Sequence, residues 1–381
     1  MFISFSWRYP INSFRYSASL VQFASPAAMG YRATQVQRSL RVSSMTIEHG
    51  LRVPMVGLPQ ETGAYAKQVE AAGFDFMWVP DTPLLAGLWR DVFIHLTCAA
   101  LETSKIRLGP GVTNPITRHP VAVGSAIITL DEVSEGRAEV PYGTGYSSAY
   151  IIGRKAATLK LMRDAAALWR NIFTGERTQL GGLEIQLDLP RPDIPIIMAA
   201  SGPKALQTAG EVADGVLIMV GAHPGCVEWA LEHVDAGVAK AGRARSDVKR
   251  TLVLTACVDN DRQRAIDTMR PCVGNLCRHR FVSELFDRAG LTPPPVPDNI
   301  PQPYPDLGHA VDWEEAKRAT AWIPDDIVAA MNALGSGEEV AERVQVLSDL
   351  DIDAIWWRDH GTWERPDALM KGLVEEVLPR L

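Results

Sequence analysis

From Leu51 onward the chain alternates short apolar runs with longer stretches whose apolar residues recur every three or four positions. The short runs read as buried strands and the longer stretches as helices with one buried face. The strand candidates are Arg52–Leu58, Phe74–Asp81, Ile106–Asn114, Arg137–Gly145, Pro195–Gly202, Asp214–Gly221, Arg250–Asp259 and Asp353–Asp359. Helical patterns follow each of them, over 63–74, 91–104, 120–136, 156–173, 203–213, 226–242, 335–350 and 366–381. Ser336 with Glu339 three residues on reads as a capping box opening the seventh of these helices. Leu180–Asp188 reads as a small hairpin added to the alternation.

A strand, a helix and a second parallel strand make the βαβ unit. Eight such units in this length predict a closed (β/α)8 TIM barrel, with an open doubly wound sheet as the alternative. One segment breaks the rhythm. Between the seventh strand and the last helices lies an insertion at about 270–322. Its stretch 292–305 (TPPPVPDNIPQPYP) holds seven prolines, too many for a helix or a central strand, so it predicts a loop or a lid.

Composition changes this picture at one end of the chain. A hydrophobic share of 46% and a charged share of 22% over 381 residues fit a globular protein. No apolar run reaches the roughly 18–20 residues of a membrane helix. The net charge of -7 argues against a nucleic-acid surface spread over the whole chain. Residues 1–47, however, hold five arginines and no acid, which leaves -12 on the remainder. Residues 1–46 therefore read as a disordered or extension segment, with a transit-peptide-like composition as the competing reading, and 47–381 as the barrel. The five cysteines are odd in number and scattered. Cys272, Cys277 and His279 are too few and poorly spaced for zinc, so no metal is expected and reduced thiols in a cytoplasmic protein are.

In a barrel the active-site face lies at the C-terminal ends of the strands. Those ends are rich in glycine and small residues: Gly111-Val112-Thr113-Asn114, Gly143-Thr144-Gly145-Tyr146-Ser147, Ala200-Ser201-Gly202 and Gly221. Small residues there let the backbone approach a flat or phosphorylated ligand. Ser201-Gly202-Pro203-Lys204 opens a helix, and its free N–H groups suit an anion. The plainer reading is a βα turn with a serine cap. Asp81 is the best single acid, able to hydrogen-bond a heterocycle or handle a proton. A helix cap or a loop salt bridge is its structural alternative. His119, before Pro120 at a helix start, reads as structural rather than as a base.

Together, GFDFMWVPDTP, RLGPGVTNPITRHP, LDEVSEGRAEVPYGTGYSSAYIIGRKAATL, MAASGPKAL and GSGEEVAERV resemble the bacterial luciferase-like flavin or deazaflavin oxidoreductases. They are most similar to the 5,10-methylenetetrahydromethanopterin reductase branch. The resemblance implies a (β/α)8 barrel, a homodimer, and coenzyme F420, or alternatively FMN, at the barrel mouth. It implies Asp81 as the catalytic polar group near the ring. Gly111–Val112 would be a cis peptide backing the ring, with Thr113 and Asn114 as polar neighbours. Gly143, Gly145 and Ser147 would line the cofactor, and Ala200, Ser201, Gly202 and Gly221 its phosphate. Two positions depart from the family's frequent pattern: Thr82 stands where many members carry His, and Tyr146 where branch members often carry Asp.

The expected activity is hydride transfer between F420 and a small organic substrate. An FMN-dependent monooxygenase is the first alternative. A cofactor- or ligand-binding barrel with impaired turnover is the second.

Overall fold

A computed structural model describes residues 47–84, 90–186, 190–361 and 363–381. The leading segment 1–46 lies outside the described residues. Eight parallel strands carry the fold: β1 (Glu48–Arg52), β2 (Phe76–Val79), β3 (Arg107–Pro110), β4 (Val140–Tyr142), β5 (Ile196–Ala200), β6 (Gly215–Ile218), β7 (Lys249–Val258) and β8 (Ala354–Arg358). They pair in the order β3-β2-β1-β8-β7-β6-β5-β4. Parallel bridges Leu108↔Ala138 and Thr113↔Tyr142 join β3 to β4 and close the ring. The expected barrel is therefore the observed one, and the open-sheet alternative falls.

Two layers explain why most strands read as continuous apolar runs. Alternate residues point into the barrel or out under the helices. Inside, Phe76, Trp78, Ile197, Leu217, Val253, Ala354 and Trp356 form one buried cluster. Outside, Leu51, Met77, Val79, Leu108, Val140, Met198, Val216, Leu254 and Trp357 join the core shared with the helices. The N-terminal end of the barrel is plugged by charge. Buried Glu139 accepts from Trp78 Nε1 (2.8 Å) and Arg107 Nε (2.7 Å). Arg107 and Lys249 both pair with Glu48, and both cations sit over the Phe76 ring.

Several expected boundaries move. The first strand is Glu48–Arg52, not Arg52–Leu58. Glu48 is consumed by the charged plug, and Gly50 is there because the Phe76 ring fills its inward side. A Cβ on Gly50 would lie 2.1 Å from Phe76 Cε2. Neither residue announces a strand by hydrophobicity. The insertion at 270–322 is also less irregular than expected. Helix Arg262–Gly274 runs into it, and short helices Val282–Arg288 and Trp313–Ala319 lie inside it. Its proline-rich part stays free of helix and strand, with Tyr304–Pro305 cis. A further helix, Asp325–Met331, and a short strand, Ala333–Gly335, paired on β7, precede the capped helix Gly337–Ser348. The hairpin is Thr178–Leu180 with Leu183–Ile185. The chain ends in helix Asp367–Gly372 followed by a wider π turn over Leu373–Val377. Among the described residues, no helix is long and apolar enough to cross a membrane, and no group of three or more His, Cys, Asp or Glu could hold a metal.

Candidate active site at the barrel mouth

The end of β3 is fixed by its neighbours. Gly111 N donates to Val79 O (2.6 Å), Thr113 N to Pro141 O (3.0 Å) and Gly143 N to Thr113 O (2.8 Å). The Gly111–Val112 peptide is cis, as the family resemblance implies. Val112 packs with Ala199 on top of the interior cluster that contains Trp356. Gly143 faces the same spot: a Cβ there would stand 3.0 Å from Val112 Cγ2 and 3.5 Å from Ala199 Cβ. The mouth thus has a small apolar floor made by β3, β4, β5 and β8.

Polar groups ring this floor. Asn114 Oδ1 accepts from Ile116 N (3.0 Å) and Thr117 N (2.9 Å), forming an Asx turn that steers the chain outward. That leaves buried Asn114 Nδ2 without a partner among the described residues, as is Trp356 Nε1. Buried donors without partners are uncommon and suit a ligand acceptor. Gly145 lies against Asn114 at φ 72°, and a Cβ would meet Asn114 Cγ at 2.6 Å, so the position needs glycine on both counts.

Asp81 is 1% exposed and both of its oxygens are engaged. Thr113 Oγ1 donates to Oδ2 (2.7 Å), and Arg118 donates through Nε to Oδ2 (3.1 Å) and through Nη2 to Oδ1 (3.2 Å). Arg118 also pairs with Asp91 and lies over Phe93. As placed, Asp81 pins the β3 loop rather than offering a carboxylate to a substrate. Sequence reasoning missed Arg118, although it lies inside the motif that drew attention to this loop. His119 caps its helix through Nδ1, which accepts from Val121 N. Of the two departures, Thr82 Oγ1 sits 3.4 Å from Ser148 Oγ, and Tyr146 is 73% exposed.

Ala200, Ser201 and Gly202 end β5, with Gly202 rather than Ser201 as the N-cap of helix Pro203–Val212 and no side chain capping it. Gly221 follows β6 at φ 86°, with Met331 against it. The two loops are neighbours, since Met219 N donates to Ala200 O. Phe281 of the insertion closes over Gly202, 3.3 Å from where a Cβ would stand.

On the opposite side, Arg52 and Arg358 end the paired strands β1 and β8. Arg52 is 4% exposed. Its Nη1 donates to Gly361 O (3.0 Å) and stands 4.0 Å from Asp359 Oδ1. Burial dominates both partners. It pulls the Arg52 guanidinium down to about 10 and pushes the Asp359 carboxyl up to about 6, against the pull of both arginines. A carboxyl raised on folding stabilises the fold fully below its ordinary value near 3.8. That contribution is lost as pH rises through about 6. The loss is about 3 kcal/mol. Asp359→Asn should therefore gain thermal stability relative to the native chain between pH 5 and pH 8. A melting-temperature difference that stays flat over that range would contradict the argument.

The open clefts on the surface of the insertion, around Val296–Gln302 and around Arg270 and Trp322, lie away from the strand ends. The strand-end geometry, not those clefts, is the candidate site.

Residues 41–354 match the family model described as luciferase-like monooxygenase. The chain is 33% identical to a 5,10-methylenetetrahydromethanopterin reductase of Archaeoglobus fulgidus, over 76% of this chain and 87% of that protein. It is 27% identical to an F420-dependent glucose-6-phosphate dehydrogenase of Beutenbergia cavernae, over 85% and 94%. The solved F420-dependent tetrahydromethanopterin reductase from Methanopyrus kandleri superposes with a TM-score of 0.69 at 23% identity, covering 87% of this chain and 99% of that one. That last likeness speaks to the fold alone.

Proposed function

The chain belongs to the luciferase-like monooxygenase family, and from that premise we propose that it is an oxidoreductase using coenzyme F420 at the barrel mouth. The observation that carries the reading is the floor of Val112, Gly143 and Ala199 beside the unpartnered buried donor Asn114 Nδ2. A flat ring bearing acceptors suits both parts of that surface. The F420-dependent relatives support F420 over FMN.

When bound, the deazaflavin supplies a carbon that accepts or gives a hydride. The protein's part is orientation. Val112 and Ala199 set the plane on which the ring rests. Asn114 Nδ2 donates at its edge, and Asp81 with Arg118 keeps Thr113 and the loop in register. Gly143 and Gly145 allow close approach on the β4 side. The N–H groups of Ser201, Gly202 and Lys204 and the loop at Gly221 hold the phosphate end through the helix dipole. The insertion excludes water above.

Fluorescence titration tests this directly. F420 should bind at low micromolar concentration or tighter, with FMN at least about tenfold weaker, a difference of about 1.4 kcal/mol. Tighter FMN binding would transfer the assignment to a flavin enzyme. No quenching by either up to about 100 μM, a binding free energy weaker than about -5.5 kcal/mol, would end the cofactor reading. Asn114→Ala should weaken whichever cofactor binds by about tenfold, the cost of one hydrogen bond.

A further inference from the structure

In a ring of eight strands, β4 and β8 stand opposite each other. The insertion touches the ends of both. Ser147, just after β4, donates through Oγ to Asp306 Oδ2 at 3.2 Å. Arg358, the last residue of β8, donates through Nη2 to Gly308 O at 3.2 Å. Ser147 lies in the short helix Tyr146–Ile151 that follows β4, so the segment is held from two sides of the mouth. Trp363 Nε1 fastens it further, donating to His309 O (3.2 Å) and Ala310 O (3.1 Å).

This segment carries a paired acid and base. His309 Nδ1 lies 2.9 and 3.0 Å from the two oxygens of Asp306, and Ser147 Oγ is 3.5 Å away. Asp306 also accepts from Gly308 N (2.9 Å). Burial raises its carboxyl, but His309, Gly308 N and Ser147 outweigh burial and hold it below the usual carboxylate range. An ionised Asp306 can only accept, so Nδ1 carries the proton. Nε2 is then the lone-pair nitrogen of the neutral ring or a second donor of the imidazolium, and it has no hydrogen-bond partner among the described residues. The charged groups around it are Asp306 on its own loop and Arg358 from β8. Ser147 from the β4 side is neutral.

We propose that His309, oriented by Asp306, is the proton-transfer group of this barrel. It would replace the groups that positions 82 and 146 do not supply. This rests on the F420 reading above and assigns the substrate a hydroxyl-bearing carbon, or a carbonyl in the reverse direction. In the forward sense the C–H hydride leaves for the ring, the O–H proton moves to His309 Nε2, and the C=O bond forms. Reduction runs the same steps backward. Asp306 acts as a positioning residue, fixing the tautomer of the imidazole.

The test follows the absorbance of bound F420 from pH 5 to pH 8 in the native chain, His309→Gln and Asp306→Asn, with circular dichroism confirming that each is folded. A proton-transfer group beside the ring makes the pH profile of the native chain differ from that of His309→Gln, while whatever all three proteins share belongs to the ring. On a panel of primary and secondary alcohols, His309→Gln should lower kcat by about 10²–10⁴-fold with KM changed by less than about threefold, as expected when an interaction made only in the transition state is removed. Identical pH profiles in native chain and His309→Gln, or unchanged kcat, would overturn the proposal while leaving the cofactor reading intact. Failure of F420 to bind the native chain would remove both.

Discussion

Gly111→Ala is expected to lower the melting temperature by several degrees and to abolish tight cofactor binding. A Cβ on Gly111 would stand 2.7 Å from Trp78 Cβ and 2.8 Å from Trp356 Cζ2. Neither tryptophan can retreat easily. Trp78 is 1% and Trp356 4% exposed. Their rings lie 5.4 Å apart, Phe76 is 4.7 Å from Trp78, and Trp78 Nε1 is tied to Glu139. Forcing a methyl into such a core costs about 1–3 kcal/mol. It also lifts Val112, and with it the floor on which a ring would rest. Gly143→Ala is the matched control. Its added methyl meets the tip of Val112 at 3.0 Å, a softer contact, so it should weaken binding while melting close to the native chain. Thermal melts and F420 titrations of the two variants separate the effects. A Gly111→Ala protein that melts and binds normally would show that the mouth is looser than described.

Glu139→Ala should be the most destabilising single change at the other end of the barrel. Its carboxylate is 3% exposed and holds Trp78 Nε1 and Arg107 Nε. Arg107 is itself drawn in by burial, which opposes its charge, and kept charged by Glu139 and Glu48. Removing Glu139 leaves buried Trp78 Nε1 without its acceptor and half-buried Arg107 with Glu48 alone, at a cost of about 1–3 kcal/mol for the unsatisfied buried donor. Glu139→Gln keeps one acceptor and should cost markedly less. Urea unfolding measures both. A loss below about 1 kcal/mol for the alanine variant would mean that Glu48 alone suffices for Arg107, within the range of ordinary surface ion pairs.

The barrel and the location of its mouth were legible because they rest on local signals. Alternating periods show strands and helices, glycines mark strand ends, and Ser336 with Glu339 caps a helix as expected, with Glu339 N donating to Ser336 Oγ. The cis Gly111–Val112 peptide was legible only through resemblance, since nothing in the residue types themselves demands it. Asp81 shows where reading stopped short. The sequence offers a carboxylate at a strand end but cannot say that Arg118 and Thr113 occupy it. The proline-rich insertion read as a possible lid, yet its path did not. Asp306 and His309 look like ordinary loop residues until Ser147 and Arg358, more than a hundred residues before and about fifty after, are found on either side.

By itself the chain determined the alternation of eight strands with helices, the small-residue strand ends and the separate character of residues 1–46 in charge. These follow from periodicity, backbone freedom and composition, which act over a few residues. Tertiary structure alone decided where β1 begins, what Asp81 does, and which groups hang over the mouth. Each of these depends on partners brought together by barrel closure. Phe76 fills the space that makes Gly50 necessary, Arg118 spends the charge of Asp81, and Ser147 and Arg358 hold the insertion from two sides. Such contacts leave no period in the sequence, because the residues that make them are neighbours only after the ring has closed.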